Sequence, residues 1–149
     1  MISNILVPTD GSEAAQKAAR YAIDLAKQLK CSIIVLSVID NRSLVAQTIS
    51  AHETVGHIIE PIEQYLREAA DEYAREIKEI CDKKGVRSKI LVTSGHPAEE
   101  IIKEADSSNT DLIVMGSHGR SAAAAAFLGS VTYSIIHKET KIPVLVVRR

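Results

Sequence analysis

Tryptophan is absent from the 149-residue chain, phenylalanine occurs once and tyrosine four times. So few rings make no platform on which nucleic-acid bases could stack. Neither charge is in excess: 18 Lys and Arg against 19 Asp and Glu leave a formal charge of −1, which argues against nucleic-acid binding by bulk electrostatics. The two cysteines, Cys31 and Cys81, stand far apart and outside any C-x-x-C spacing. They suggest neither a zinc site nor a redox pair, and read as small apolar residues in a reducing compartment. No apolar run approaches the ~20 residues needed to span a bilayer, and Met1–Val7 carries no basic stretch, so no membrane span is expected and a cytoplasmic address is.

What is present is the composition of an ordinary globular chain, 46% apolar and 25% charged, predicting a single domain over residues 1–149. Five short apolar runs stand out: Ile5–Val7, Ser32–Val38, Ser88–Val92, Leu112–Met115 and Val144–Val147. Most are continuous rather than alternating, as strands buried on both faces are. Between them lie helical patterns. Ala15, Ala18, Ala19, Ala22, Ile23 and Ala26 share one face of the first, and so many alanines imply a helix lying close against its sheet. A second helix is expected from Pro61, at its first position, to Lys84, with Gly85 as its stop. A third starts at Pro97 with Glu99 and Glu100 in its first turn, and a last runs from about Ser130 to about Lys138. The alternation β-α-β-α-β-α-β-α-β predicts a doubly wound α/β fold with a parallel sheet. Residues 40–57 interrupt the pattern as a long loop.

In such a sheet, ligands bind beyond the carboxyl ends of the strands where strand order reverses. The residues there are Pro8-Thr9-Asp10-Gly11-Ser12 after the first strand, Ile39-Asp40-Asn41 after the second and Gly116-Ser117-His118-Gly119-Arg120 after the fourth. Neither a P-loop nor the usual dinucleotide fingerprint is present. Instead Gly116-x-x-Gly119 is followed, nine residues on, by Gly129-Ser130 opening a helix, then Val131 and Thr132. Glycines let backbone approach an anion, and free N–H groups at a helix start suit a phosphate. Spacing alone leaves a second reading equally open, in which the glycines make a turn and Ser130 is an N-cap.

The run Gly116-Ser-His-Gly-Arg, then Leu128-Gly129-Ser130-Val131-Thr132, the ending Pro143-Val-Leu-Val-Val and the opening Ile5-Leu-Val-Pro-Thr-Asp-Gly-Ser12 together resemble the universal stress protein family, over essentially the whole chain. The glycine pattern is similar to that of its ATP-binding branch. The resemblance implies an open five-stranded parallel sheet in order 3-2-1-4-5, sandwiched by four helices. It implies ATP, or another adenine nucleotide, with Pro8, Thr9 and Asp10 beside the adenosine, Val38 offering backbone to the adenine edge and Met115 and Gly116 flanking the ribose. Gly119, Gly129, Ser130, Val131 and Thr132 would line the phosphates, with Mg²⁺ held through phosphate oxygens and water. It also implies a homodimer through the C-terminal strand, and a stress-response signalling role.

One departure weighs on that expectation. Ser121 is followed by Ala122–Ala126, where the family usually mixes glycine, leucine and charged residues; alanine is the strongest helix former. A nucleotide-free dimeric scaffold is therefore one alternative, and a slow ATPase another. Arg120 reads as a bidentate phosphate donor or a solvated turn residue. Asp10 has a second role open to it, because Asp10-Gly11-Ser12-Glu13 can form a capping box with Glu13 reaching back. His118 occupies a ligand-facing place between two glycines and joins the candidates. With no acidic or serine partner apparent to make it a general base, the plainer reading is an exposed loop residue. No catalytic residue and no protein metal site is expected: His52 and His57 lack companions for a metal, and His96 and His137 read as structural.

Overall fold

The structure, a computed structural model, describes residues 1–42, 56–119, 128–138 and 140–148, without the side chains of 56–60. Their elements run β1 (Asn4–Pro8), α1 (Glu13–Leu29), β2 (Ser32–Asp40), α2 (Gly56–Lys84), β3 (Ser88–Gly95), α3 (Pro97–Ser107), β4 (Leu112–Gly116), α4 (Ser130–His137) and β5 (Val144–Val147). The strands form one sheet in the order β3-β2-β1-β4-β5, every neighbouring pair parallel.

Alternation along each strand sends side chains to opposite faces, which explains why the strands read as unbroken apolar runs. Ile5, Val7, Ile33, Val35 and Val114 pack on one face with Ala19, Ala22, Ile23 and Ala26 of α1 and Ala74, Ile77 and Cys81 of α2. Leu6, Ile34, Leu36, Ile113 and Met115 pack on the other with Ala98, Ile101 and Ala105 of α3 and Ile135 of α4. The α1 alanines have no atoms beyond Cβ, so the helix backbone settles directly on the sheet. Both cysteines are free and buried, as the sequence suggests, and burial pushes both thiols up from their ordinary pKa.

Three boundaries differ from expectation. Helix α2 begins at Gly56 and carries Pro61 inside it rather than at its first position. Ile58, Ile59 and Ile62 continue the apolar period upstream, so the helix runs through the proline at the cost of one backbone rung. Strands β2 and β3 also reach Asp40 and Gly95, paired to their ends, and so stand farther out at the carboxyl side than their apolar cores indicate. Of the expected long loop, residues 43–55 lie outside the description, as do His52, Arg120 and Ala122–Ala126.

Candidate functional site

Beyond β1 the chain turns on its own side chains. Thr9 is buried and its N–H closes the last rung of the β1–β2 ladder on the Leu36 carbonyl at 2.8 Å. Its hydroxyl then accepts from Gly11 N (3.2 Å), Asp10 Oδ1 from Ser12 N (3.0 Å) and Ser12 Oγ from Ala15 N (3.2 Å). Ser12 is thus the N-cap of α1, but the box differs from the one expected. Glu13 is the exposed first helical residue, and Asp10, upstream, takes the cap's own N–H. Gly11, at φ 76°, has the ring of Tyr73 from α2 against it: a side-chain carbon there would fall 2.5 Å from Tyr73 Cδ1. The start of α1 is therefore capped from within.

The start of α4 is not. Its N-cap is Gly129, with no side-chain capping bond, and Ser130 is the exposed first helical residue rather than the cap. Thr132 is buried and donates its hydroxyl to the Gly116 carbonyl at 2.9 Å, which ties α4 to the end of β4. Gly129 N donates to Ser117 O at 2.7 Å, and Ser117 N to Val147 O at 3.1 Å. The backbone N–H groups of Ser130, Val131 and Thr132 lie in the first turn, where no intrahelical carbonyl exists for them and the helix dipole is positive. A side-chain carbon on Gly119 would stand 2.9 Å from Asp10 Oδ2, and one on Gly129 3.3 Å from Gly119 N. The turns after β1 and β4 and the start of α4 accordingly converge on one point, between the two strands where sheet order reverses.

Val38 faces the same opening through its backbone. Ser32 N–H bonds Ser3 O toward β1, Ile33 N–H bonds Arg87 O toward β3, and Leu36 O again meets β1 at Thr9. Even-numbered residues of β2 thus turn their backbone groups toward β1, and Val38 is the first of them beyond the final β1 partner pair, Pro8 with Leu36. Its N–H and C=O offer a donor and an acceptor side by side, which is how a planar heterocycle edge such as adenine's is read. Pro8 ends β1 beside them, and Met115 is buried one residue before Gly116.

His118 is not the exposed loop residue expected. It is half-buried, and its Nδ1 lies 2.6 Å from the hydroxyl of buried Ser117, while Nε2 is enclosed without a partner among the described residues. Neighbours along an extended strand point to opposite faces; only the turn that follows β4 lets two consecutive side chains meet, so the pairing has no sequence spacing to announce it. His137 bonds Tyr133 O at 2.9 Å and stacks on its ring, as a structural histidine does. His96 Nε2 lies 3.2 Å from Arg42 Nη1 at the far end of β3, and Arg42 clamps Asp40 through Nη2 at 2.6 Å, holding that carboxyl below its ordinary pKa chiefly by the hydrogen bond. That cluster and an open groove of ≈ 650 Å³ on the outer side of α3, lined by Glu99, Ile102, Lys103, Asp106, Ser107 and Lys138, both lie apart from the convergence point. Among the described residues no His, Cys, Asp or Glu cluster could hold a metal ion, and no helix is long and apolar enough to cross a membrane.

Comparison with known proteins agrees on one relationship. The sequence model of the Universal stress protein family matches residues 1–148. Universal stress protein MJ0577 of Methanocaldococcus jannaschii is 36% identical, with 100% of this chain and 96% of that protein covered. YxiE of Bacillus subtilis, also a universal stress protein, is 33% identical over 99% of this chain and its own full length. The solved structure of MJ0577 superposes with a TM-score of 0.85 over 100% of this chain and 97% of that one. Two more distant structures share the fold at TM-scores of 0.63 and 0.67: a universal stress protein in complex with cAMP, 22% identical over 99% of this chain and 97% of its own, and an Arabidopsis thaliana family member with AMP bound, 14% identical over 99% and 92%.

Proposed function

Because the chain belongs to the universal stress protein family, we propose that it binds an adenine nucleotide, ATP foremost, and acts as a nucleotide-dependent switch in a stress response. The observation that carries this reading is the meeting of an uncapped helix start with a glycine-lined turn: Gly129 leaves α4 without a side-chain cap while Gly119 keeps the space before Asp10 clear. Phosphate oxygens would take the N–H groups of Ser130, Val131 and Thr132. The adenine edge would lie along Val38, with Pro8, Thr9 and Asp10 beside the nucleoside and Met115 and Gly116 beneath the ribose. Mg²⁺ would reach the protein through the phosphates, the usual arrangement for an ion reluctant to lose its water. Arg120 belongs to the same segment as a phosphate donor.

The proposal includes a partner of the same kind. β5 is the last strand of the sheet and its four residues are all half-buried, so a second copy would cover an otherwise open edge. The reading is tested by denaturing purified protein, resolving the released small molecules by anion exchange, and titrating Mg-ATP into stripped protein. Co-purifying ATP, or binding near the micromolar range (about −8 kcal/mol), is expected. Removing the divalent ion with a chelator should weaken ATP binding and leave the melting temperature of nucleotide-free protein unchanged. No nucleotide and no heat would favour the scaffold reading, and steady release of ADP the ATPase reading.

A further inference from the structure

Strand β2 outruns β1. The last β1–β2 partners are Pro8 and Leu36, whereas β2 goes on to Asp40, and there its register pairs Val38 with Thr93, Ile39 with Ser94 and Asp40 with Gly95 of β3. Among the described residues, the backbone edge that Val38 turns toward β1 is therefore held by β3 alone. Such an edge is only as well placed as the ladder behind it, and any freedom left in that ladder is lost on binding, at a cost in affinity.

The ladder ends in a clasp. Arg42 folds back on Asp40: its backbone N–H and Nε donate to Oδ1 at 3.1 and 2.9 Å, and Nη2 donates to Oδ2 at 2.6 Å. The same guanidinium reaches across to His96, the residue after β3, with Nη1 3.2 Å from Nε2. A guanidinium carries donors and no acceptor, so this contact is a hydrogen bond only while Nε2 presents its lone pair. The imidazole is then neutral, with its hydrogen on Nδ1, which is buried and meets no partner among the described residues. A proton on Nε2 sets donor against donor and cation against cation. Proton and Arg42 thus compete for one lone pair, and the Arg42–Asp40 bonds, which lie within the end of β2, do not replace the lost tie to β3. The described charged groups beside His96 are Asp40 and Arg42 beyond Val38 and, from α3, Glu99 and Glu100. Glu99 has Lys138 at 3.6 Å; Glu100 packs its side chain over Gly95 and has Lys103 at 3.9 Å. Resting on the nucleotide reading above, we infer that Arg42 and His96 are positioning residues for the adenine edge at Val38, and that protonation of His96 loosens this edge and weakens adenine-nucleotide binding.

The test measures Mg-ATP affinity by calorimetry between about pH 8 and about pH 5.5, the range in which histidines change charge, and follows His96 in the same buffers by imidazole ¹⁵N NMR. The comparison is with His96→Gln, whose side-chain oxygen can accept from Arg42 and takes up no proton in this range. Protons gained by the phosphates or by other histidines are common to both proteins and cancel in the ratio of affinities. Wild type should match His96→Gln at the alkaline end and fall about threefold below it at the acid end, the share of one exposed side-chain hydrogen bond, in step with the His96 signal. His96→Phe and Arg42→Gln should each show the weaker affinity across the whole range, and the double variant should lose no more than either. Parallel profiles for wild type and His96→Gln, or full wild-type affinity in His96→Phe at the alkaline end, would overturn the inference while leaving the nucleotide reading intact. Wild-type protein that binds no Mg-ATP at any pH would remove the nucleotide reading and this role together.

Discussion

Asp10 serves two neighbours at once: Oδ1 holds the N-cap of α1 and Oδ2 faces Gly119 across the site. The capping role that its sequence context offers is thus met by Oδ1 alone. Gly119→Val should consequently drive side-chain atoms into the space between Asp10 and the phosphate turn and abolish ATP binding detectable by calorimetry. Because Gly119 is exposed, its far-UV melting temperature should stay within a few degrees of wild type; unchanged affinity would remove Gly119 from the site. Gly11→Ala is the contrasting case, needing φ 76° and meeting the Tyr73 ring at 2.5 Å. It should cost more than ~1 kcal/mol in denaturant unfolding, and the double variant with Tyr73→Ala should recover only the steric share. At this scale the sequence indicates which residues stand at the strand ends. It is silent on contacts made by turns, as the Ser117–His118 bond and the displaced capping box both illustrate.

Elements were more legible than contacts, because burial on both sheet faces imposes continuous apolar strands and a wide apolar helix face imposes its own period. The β5 and α3 starts agree with the structure to the residue. The start of α2 lies upstream of Pro61 because one proline costs a single backbone rung and does not end the helix. Strands β2 and β3 run past their apolar cores because Asp40 and Ser94-Gly95 pair through backbone, to which side-chain hydropathy is blind. At the opposite end of the sheet, Asp111 Oδ2 accepts from Ser3 N at 2.7 Å and Asn4 N at 3.0 Å, fastening the start of β1 beside β4 and holding the carboxyl below its ordinary pKa. A carboxyl depressed in the folded state contributes stability above its unfolded pKa of about 3.9, and that contribution is lost as pH falls through the folded value. Asp111→Asn should therefore lower the melting temperature at neutral pH and show a shallower decline below about pH 4. Parallel melting curves for the two proteins across that range would show that the fastening contributes nothing.

The whole molecule places its proposed nucleotide site and its open edge in one hydrogen-bonded line. Ser117 receives Gly129 on its carbonyl and gives its N–H to Val147, the last residue of β5. The resemblance to the family supplied the strand order; hydropathy alone predicts parallel strands without saying which is outermost. The register says what the outer edge presents. Ile113 N bonds Pro143 O and Ser117 N bonds Val147 O, so odd-numbered residues of this strand turn their backbone groups inward to β4, and Val144 and Val146 turn theirs outward. Proline at position 146 thus removes an outward donor without breaking a rung to β4, and an edge strand is where proline is tolerated. If β5 joins two copies, wild-type protein should sediment as a dimer and Val146→Pro as a folded monomer with its nucleotide affinity retained. A wild-type monomer would dismiss the pairing outright. A Val146→Pro dimer would move the interface to the exposed α4 face, where Tyr133 and Ile136 lie open to solvent, and Tyr133→Lys would then be the variant that separates the copies.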